Sequence, residues 1–120
     1  MRLAAILLGC LICGPALADS YPVSGAWGQS SSSEKGPIDC GGKRVIAFKG
    51  DQRTDSKGGV PSYRNKSVTA TGTSDFRIVD QFTTGQISNG TANFTLHKVD
   101  DDHIVLNLQP GGQIKLQRCK

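Results

Sequence analysis

The stretch that decides the fold lies near the C-terminus, where residues 92–118 read ANFTLHKVDDDHIVLNLQPGGQIKLQR. Apolar and polar residues alternate in three runs, and this period of two is typical of strands with one buried face. With Asp100–Asp102 as a three-residue hairpin loop, Leu96 faces Leu106. Phe94 then faces Leu108. A two-residue loop would scatter the apolar set over both faces, so the spacing predicts an antiparallel pair in this register.

The same alternation continues on both sides of this hairpin. A three-residue loop at Pro110–Gly112 would place Leu108 opposite Ile114, and a loop at Gly72–Ser74 would join two earlier strands. We expect seven or eight antiparallel strands in an all-β fold. A single open sheet of that size exposes two edges and one face, so we predict closure into a small up-and-down β-barrel. A β-sandwich is the alternative, and the neighbour-to-neighbour hairpins argue against its crossed connections.

The N-terminus carries the pattern of a secretory signal peptide. Arg2 opens the chain, an apolar run extends from Leu3 to Cys13, and Ala16-Leu-Ala18 has the small residues that a signal peptidase prefers. We therefore predict a signal peptide at residues 1–18 and a single barrel domain at 19–120, with a flexible N-terminal segment at 19–37. The expected location is the periplasm or the exterior of a bacterium. A lipoprotein acylated at Cys10 is the alternative.

Export changes how the cysteines are interpreted. Cys10 and Cys13 lie in the predicted signal peptide, so Cys40 and Cys119 remain. Two thiols in an oxidising compartment are expected to form one disulfide. Two separate thiols or a pair of metal ligands are the alternatives, and two ligands with no nearby histidine pattern make a poor zinc site.

Composition excludes several classes of function. The net charge of +4 is modest, without the clustered basic residues of a nucleic-acid-binding protein. No segment beyond the signal peptide is long and apolar enough for stable membrane insertion. We expect a monomer with no cofactor, and the sequence contains no sequence motif of a nucleophile, a P-loop or a metalloprotease, so we do not expect an enzyme.

Two features of the sequence resemble those of lipocalin-like (calycin) barrels. Gly25-Ala-Trp27 resembles the G-x-W motif of their first strand, and Arg118 has the position of the basic residue on their last strand. The resemblance implies that Arg118 packs on the Trp27 ring and closes the barrel. The chain also resembles, more narrowly, the periplasmic inhibitors of alkaline metalloproteases. That resemblance implies inhibition through a free N-terminal segment at residues 19–22.

Basic residues concentrate in the first half of the chain. Seven of them lie between residues 43 and 66, against Asp51 and Asp55: Lys43, Arg44, Lys49, Arg53, Lys57, Arg64 and Lys66. This surface indicates an anionic partner, such as an acidic ligand or an exported protein. A solvated, soluble loop is the alternative interpretation.

Four polar residues also fall on the inward side of the predicted strands: Lys66, Asp80, Lys98 and Arg118. One hypothesis is a polar barrel mouth for an anionic ligand, formed by Asp80 and Lys98 with their neighbours. The alternative is a wet rim, or an ion pair of Asp80 with Lys98 or Arg118. His97 and His103 flank Asp100–Asp102, but we expect a solvated turn there and not a metal site. The sequence therefore predicts an exported binding or interaction module for an anionic ligand or partner, with a periplasmic protease inhibitor as the alternative.

Overall fold

The protein is a closed antiparallel barrel. The computed structural model describes residues 20–120; the predicted signal peptide and Cys10 lie outside the described residues. Each strand pairs with its neighbour in the chain, and the last strand pairs with the first. The strands are β1 (Gly25–Gln29), β2 (Val45–Lys49), β3 (Gln52–Asp55), β4 (Tyr63–Ala70), β5 (Asp75–Phe82), β6 (Gly90–Lys98), β7 (His103–Gln109) and β8 (Gly112–Arg118). The predicted all-β up-and-down barrel is confirmed.

The hydrophobic core fills the barrel, and its members on β6, β7 and β8 lie at the predicted inward positions. Its buried members are Tyr21, Trp27, Ile46, Phe48, Ile78, Phe94, Leu96, Ile104, Leu106, Ile114 and Leu116. A barrel of eight strands has an interior just wide enough for side chains to fill. None of the described residues forms a helix that could cross a membrane.

The predicted hairpin registers are confirmed at two turns and wrong at the third. Leu96 pairs with Leu106 as predicted, and the Gly72–Ser74 turn also has the expected register. At the last turn, Leu108 pairs with Gly112 and Leu106 with Ile114, a shift of two residues. Gly111 and Gly112 both adopt positive φ angles, which allows a tighter turn than the predicted one. A shift of two residues keeps the same side chains on the inward face, so Ile114 and Leu116 are buried as predicted.

The disulfide between Cys40 and Cys119 is confirmed. It crosses the outside of the barrel at Gly28, where a Cβ atom would lie 2.5 Å from the Cys40 Sγ atom. Any side chain at position 28 would collide with the disulfide, so only glycine fits there. The segment that leads from the end of β1 to Cys40 follows β8 on the outside of the barrel. It ends in a parallel bridge between Ile38 and Cys119.

The segment at 19–37, predicted to be flexible, is anchored at several points in its described part. It contains β1, and the Tyr21 side chain is 7% exposed inside the barrel. The Gln117 amide donates hydrogen bonds to the carbonyls of Glu34 and Gly36, both at 2.9 Å. A segment held in this way is not the free arm that a cleft-inserting inhibitor needs.

Candidate ligand-binding site at one barrel mouth

The alternating strand directions assign each site residue to one of two barrel mouths. The ends of β3, β5 and β7 meet the starts of β4, β6 and β8 at one mouth, which contains Arg44, Arg53, Asp55, Tyr63, Phe82 and Phe94. We name this end the arginine mouth. The opposite end is the N-terminal mouth, which contains Tyr21, Val23, Trp27, Lys98 and Arg118.

The arginine mouth holds a cavity of about 370 Å³. Its walls include three aromatic rings and the apolar side chains of Leu108 and Pro110, and its polar residues include two arginines. Small-molecule sites usually combine apolar walls with a few polar groups in a volume of roughly 300–1,000 Å³. The size and chemistry of this cavity therefore suit a compact ligand.

A buried ion pair lies at the inner end of this mouth. Arg53 donates from Nε to Asp80 Oδ2 at 2.7 Å, and the two side chains are 4% and 0% exposed. Charges taken out of water need excellent geometry and further hydrogen bonds to offset the loss of hydration. Asn65 supplies one of these bonds, because its Nδ2 donates to Asp80 Oδ1 at 3.2 Å. Asp80 is thus held by two neighbouring strands.

The Arg53 guanidinium is stacked against aromatic rings. Its Cζ atom lies 3.9 Å from the ring centroid of Tyr63 and 4.7 Å from that of Phe94. Such cation–π contacts stabilise a guanidinium by about 0.5–2 kcal/mol. The group carries five N–H donors, and the bond to Asp80 is the one hydrogen bond that it makes within the described residues. Donors therefore remain at the base of the cavity that Arg53 lines.

A second ion pair forms part of the rim. Arg44 donates from Nε and Nη2 to the two carboxylate oxygens of Asp55, at 3.0 and 2.6 Å. Burial alone would raise the pKa of Asp55, but hydrogen bonds from Arg44 and the Lys57 amide, with the charges of Arg44 and Arg53, hold it below its usual value. The Arg44–Asp55 pair on the rim is therefore formally neutral.

Tyr21 approaches the Arg53–Asp80 pair from the opposite end of the barrel. Its ring packs edge-on against Phe48 with the centroids 5.0 Å apart, and its backbone N–H donates to the Gly50 carbonyl. Burial raises the pKa of the Tyr21 hydroxyl, and so does the nearby Asp80 carboxylate, whereas Arg53 lowers it. The hydroxyl oxygen is buried but makes no hydrogen bond of good geometry to either group.

The N-terminal mouth is closed by the pair that the lipocalin-like resemblance implied. The Arg118 guanidinium lies 4.4 Å from the Trp27 ring, and it also donates to the Asp101 carbonyl at 3.0 Å from Nη2. Lys98 lies over the Phe76 ring. Arg118 and Lys98 are therefore occupied with structural contacts at this end.

Only some of the seven residues of the predicted basic surface are exposed and unpaired with an acidic group in the described part of the chain. Arg53 was wrongly placed on it, because its side chain points into the barrel on the same side as Asp55. Arg44 and Arg64 are exposed to different degrees but are paired with Asp55 and Asp51. The remaining four residues are exposed lysines: Lys43, Lys49, Lys57 and Lys66.

The predicted polar mouth is also corrected. Asp80 pairs across the sheet with Ala92, six residues from Lys98 along β6, so the two charges belong to opposite ends of the barrel. The ion-pair partner of Asp80 is Arg53, not Lys98 or Arg118. Lys66 faces solvent because a β-bulge between Asn65 and Ser67 reverses the expected alternation.

The two histidines form separate pairs with aspartates. His97 Nδ1 lies 2.7 Å from Asp75, and His103 Nδ1 lies 2.8 Å from Asp100. His103 also borders a groove of about 230 Å³ under Ser30–Ser33. Within residues 20–120, no group of three or more acidic, histidine or cysteine side chains is arranged to hold a metal ion.

Sequence reasoning missed the two tyrosines and the buried role of Arg53. The signal for Arg53 was present, since Arg53 and Asp55 alternate with Gln52 and Thr54 as a strand with an inward polar face would. No comparable signal existed for Tyr21, because its burial depends on a segment that precedes the first strand.

Comparisons with models of protein families, with curated proteins and with solved structures give no match for this chain. The lipocalin-like relationship therefore stays a prediction, and the functional argument depends on the geometry of the arginine mouth.

Proposed function

We propose that this chain is an exported binding protein that takes a compact anionic ligand in the arginine mouth. The observation that carries the proposal is the Arg53 guanidinium, which is buried, stacked on aromatic rings and only partly used by Asp80. The predicted signal peptide and the disulfide support export.

The ligand class follows from the walls of the cavity. A guanidinium presents paired N–H donors that match a carboxylate, and such charge-assisted bonds are stronger than neutral ones. The rings of Tyr63, Phe82 and Phe94 favour a planar or apolar body beside that group. A small aromatic carboxylate combines both features.

The ion pairs also predict how binding responds to salt. Arg44 and Arg53 are neutralised by Asp55 and Asp80, so recognition depends on short-range hydrogen bonds and stacking. Such contacts inside a cavity are screened much less than exposed charges. Binding through the exposed lysines would instead weaken steeply as salt rises.

The burial of Tyr21 does not support the protease-inhibitor alternative. Inhibition through residues 19–22 needs a segment that can leave the barrel and enter a cleft, whereas Tyr21 is part of the core. Asp19 lies outside the described residues.

Titration with benzoate, followed by NMR and by calorimetry, tests the proposal. We expect millimolar binding with chemical-shift changes at Tyr63, Phe82 and Phe94. Ala92→Phe fills the cavity from the start of β6, where Ala92 lines the mouth. This change should abolish binding while the melting temperature stays close to that of the wild type.

A paired variant tests the role of Arg53 without leaving a buried charge unpaired. Arg53→Gln combined with Asp80→Asn should weaken benzoate binding roughly 10–100-fold, since a hydrogen bond to a charged group contributes about 1.5–3 kcal/mol. Lys66→Gln is the matched control, because it removes an exposed cation outside the barrel. The proposal is wrong if benzoate does not bind, or if Lys66→Gln weakens binding as much as the paired variant.

A further inference from the structure

The Arg53 guanidinium keeps one edge free for a ligand. Its Nε donates to Asp80 at 2.7 Å, and this is the one hydrogen bond that the group forms within residues 20–120. The N–H groups on Nη1 and Nη2 therefore remain available. At the end of the side chain, one N–H from each of these nitrogens points in the same direction. This end-on edge matches the two oxygens of a carboxylate.

Aromatic rings lie against the flat faces of the same guanidinium. The Arg53 Cζ atom is 3.9 Å from the ring centroid of Tyr63, which extends from β4, and 4.7 Å from that of Phe94, which extends from β6. The Arg53 side chain is only 4% exposed. A ligand in the cavity therefore meets Arg53 in the plane of the guanidinium, at its end-on edge.

This approach favours oxyanions of one shape. When both oxygens of a carboxylate lie on the end-on edge, its substituent stays in the plane of the guanidinium. A sulfonate is tetrahedral, so its third oxygen and its substituent leave that plane on opposite sides. These groups would then compete for space with the rings of Tyr63 and Phe94. The two oxyanions carry the same charge, so shape alone distinguishes them.

The position of the Tyr63 ring depends on a glycine two strands away. Phe82 packs edge-on against Tyr63, with the ring centroids 5.5 Å apart. The Phe82 ring also covers Gly90, its cross-strand partner on β6, where a Cβ atom would lie 2.6 Å from the Phe82 Cζ atom. Because β5 lies between β4 and β6, a ring that is pushed away from Gly90 moves toward Tyr63.

We infer that the arginine mouth selects planar carboxylates over tetrahedral oxyanions, and that Gly90 is the positioning residue that maintains this selectivity. The inference rests on the proposed function and narrows its ligand class. Gly90 acts through its neighbours: it leaves room for the Phe82 ring, and Phe82 in turn holds the Tyr63 ring against Arg53.

A comparison of benzoate with benzenesulfonate tests the selectivity, because the two probes share a ring and a single negative charge. In the wild type we expect benzoate to bind roughly tenfold more tightly, since it alone forms the coplanar pair of charge-assisted bonds. Benzoate should also shift the NMR signals of the Arg53 Nη N–H groups. The Nε–H signal should change little, because Asp80 retains that hydrogen bond.

Gly90→Ala tests the positioning role. The added methyl group displaces the Phe82 ring, and the ratio of benzoate to benzenesulfonate affinity should fall below about threefold. Gly85→Ala is the matched control, because it makes the same substitution in the loop between β5 and β6, where a Cβ atom meets nothing within 4 Å.

Phe82→Leu is a second variant that carries the test if Gly90→Ala does not fold. It removes the ring that supports Tyr63 and should lower the same ratio. Direct contacts between Phe82 and the ligand ring cancel in this ratio, since both probes have the same ring. Thermal melting and the fluorescence of Trp27, which lies at the opposite mouth, verify the fold of each variant.

The outcomes separate this inference from the proposed function. Absence of benzoate binding to the wild type overturns both. Equal affinity of the wild type for the two probes overturns the selectivity and leaves the proposed function standing. An unchanged ratio in folded Gly90→Ala, or in Phe82→Leu where Gly90→Ala does not fold, overturns the positioning role. An equal fall of the ratio in Gly85→Ala overturns it as well.

Discussion

At the residue scale, the polar side chains inside the barrel are organised as pairs of complementary charge. Arg53 with Asp80 joins β3 to β5, and Arg44 with Asp55 joins the residue before β2 to the end of β3, both through short hydrogen bonds. Breaking a buried pair by removing one partner is far more destabilising than replacing both. Single substitutions at these positions therefore report on folding before they report on binding.

The lowered pKa of Asp55 predicts how the stability of the protein changes in acid. Its pKa is lower in the folded protein than in the unfolded chain, where it is about 3.9. The stabilisation is therefore fully present above pH 3.9 and is lost as the pH falls through the lower folded value. Asp55→Asn should reduce the free energy of unfolding at pH 7 by about 1–3 kcal/mol. The difference from the wild type should shrink below pH 4.

Urea denaturation at several pH values measures this effect. Asp51→Asn is the matched control, because Asp51 pairs with Arg64 on an exposed surface, with 44% and 68% of the side chains accessible. Exposed pairs contribute about 0–1 kcal/mol. If both variants lose the same free energy of unfolding, the Arg44–Asp55 pair is not the stronger of the two ion pairs.

At the element scale, the segment between β1 and β2 acts as a strap on the outside of the barrel. It begins at Ser30, whose N–H donates to the Lys115 carbonyl, and ends at the parallel bridge between Ile38 and Cys119. Gln117 lies beneath the strap and is 0% exposed, although it occupies an outward position on β8. Its amide group connects the strap to the sheet.

Gln117→Ala should release the strap without opening the barrel. The change leaves the carbonyls of Glu34 and Gly36 without their donors, which we expect to lower the free energy of unfolding by about 1–3 kcal/mol. Amide hydrogen exchange should accelerate at Gly36 and Ile38 while β6 and β7 stay protected. Gln113→Ala, an exposed glutamine on the same strand, serves as the control. Unchanged exchange in the strap would refute its dependence on Gln117.

At the scale of the whole molecule, two different links connect the N-terminal part of the chain to its C-terminal end. Hydrogen bonds between β1 and β8 close the barrel, and the disulfide joins the strap to the end of β8 across 79 residues of sequence. The bridge restricts the unfolded chain, whereas the hydrogen bonds act in the folded state.

Removal of the bridge should therefore weaken the barrel without changing its topology. In the chain-entropy model, a loop of this length contributes about 4–5 kcal/mol. Cys40→Ser with Cys119→Ser should lower the midpoint of urea denaturation accordingly, while the NMR contacts between β1 and β8 persist. The reduced wild type should match the double variant. Loss of the β1–β8 contacts would show instead that the barrel needs the bridge to close.

The sequence predicted the fold well where local rules decide it. Alternation over residues 92–108, with an acidic turn of unambiguous length, determined the register of β6 and β7. The predicted alternation was wrong at Lys66, where a β-bulge inserts one residue into the strand. The predicted loop length was wrong at the last turn, where glycines with positive φ form a tighter turn at Pro110–Gly111. Charge counting along the chain could not distinguish an inward Arg53 from an outward lysine.

The sequence by itself determined the strand periodicity, the pairing of Cys40 with Cys119, and the expectation of closure, because these follow from side-chain alternation, compartment and exposed edges. Only the tertiary structure decided that Arg53 meets Asp80 and that Tyr21 reaches the same pair. Those contacts join three segments that are distant in sequence, and the curvature of the closed sheet brings them to one place. The candidate site therefore depends on closure of the barrel, while the strands that form it are encoded locally.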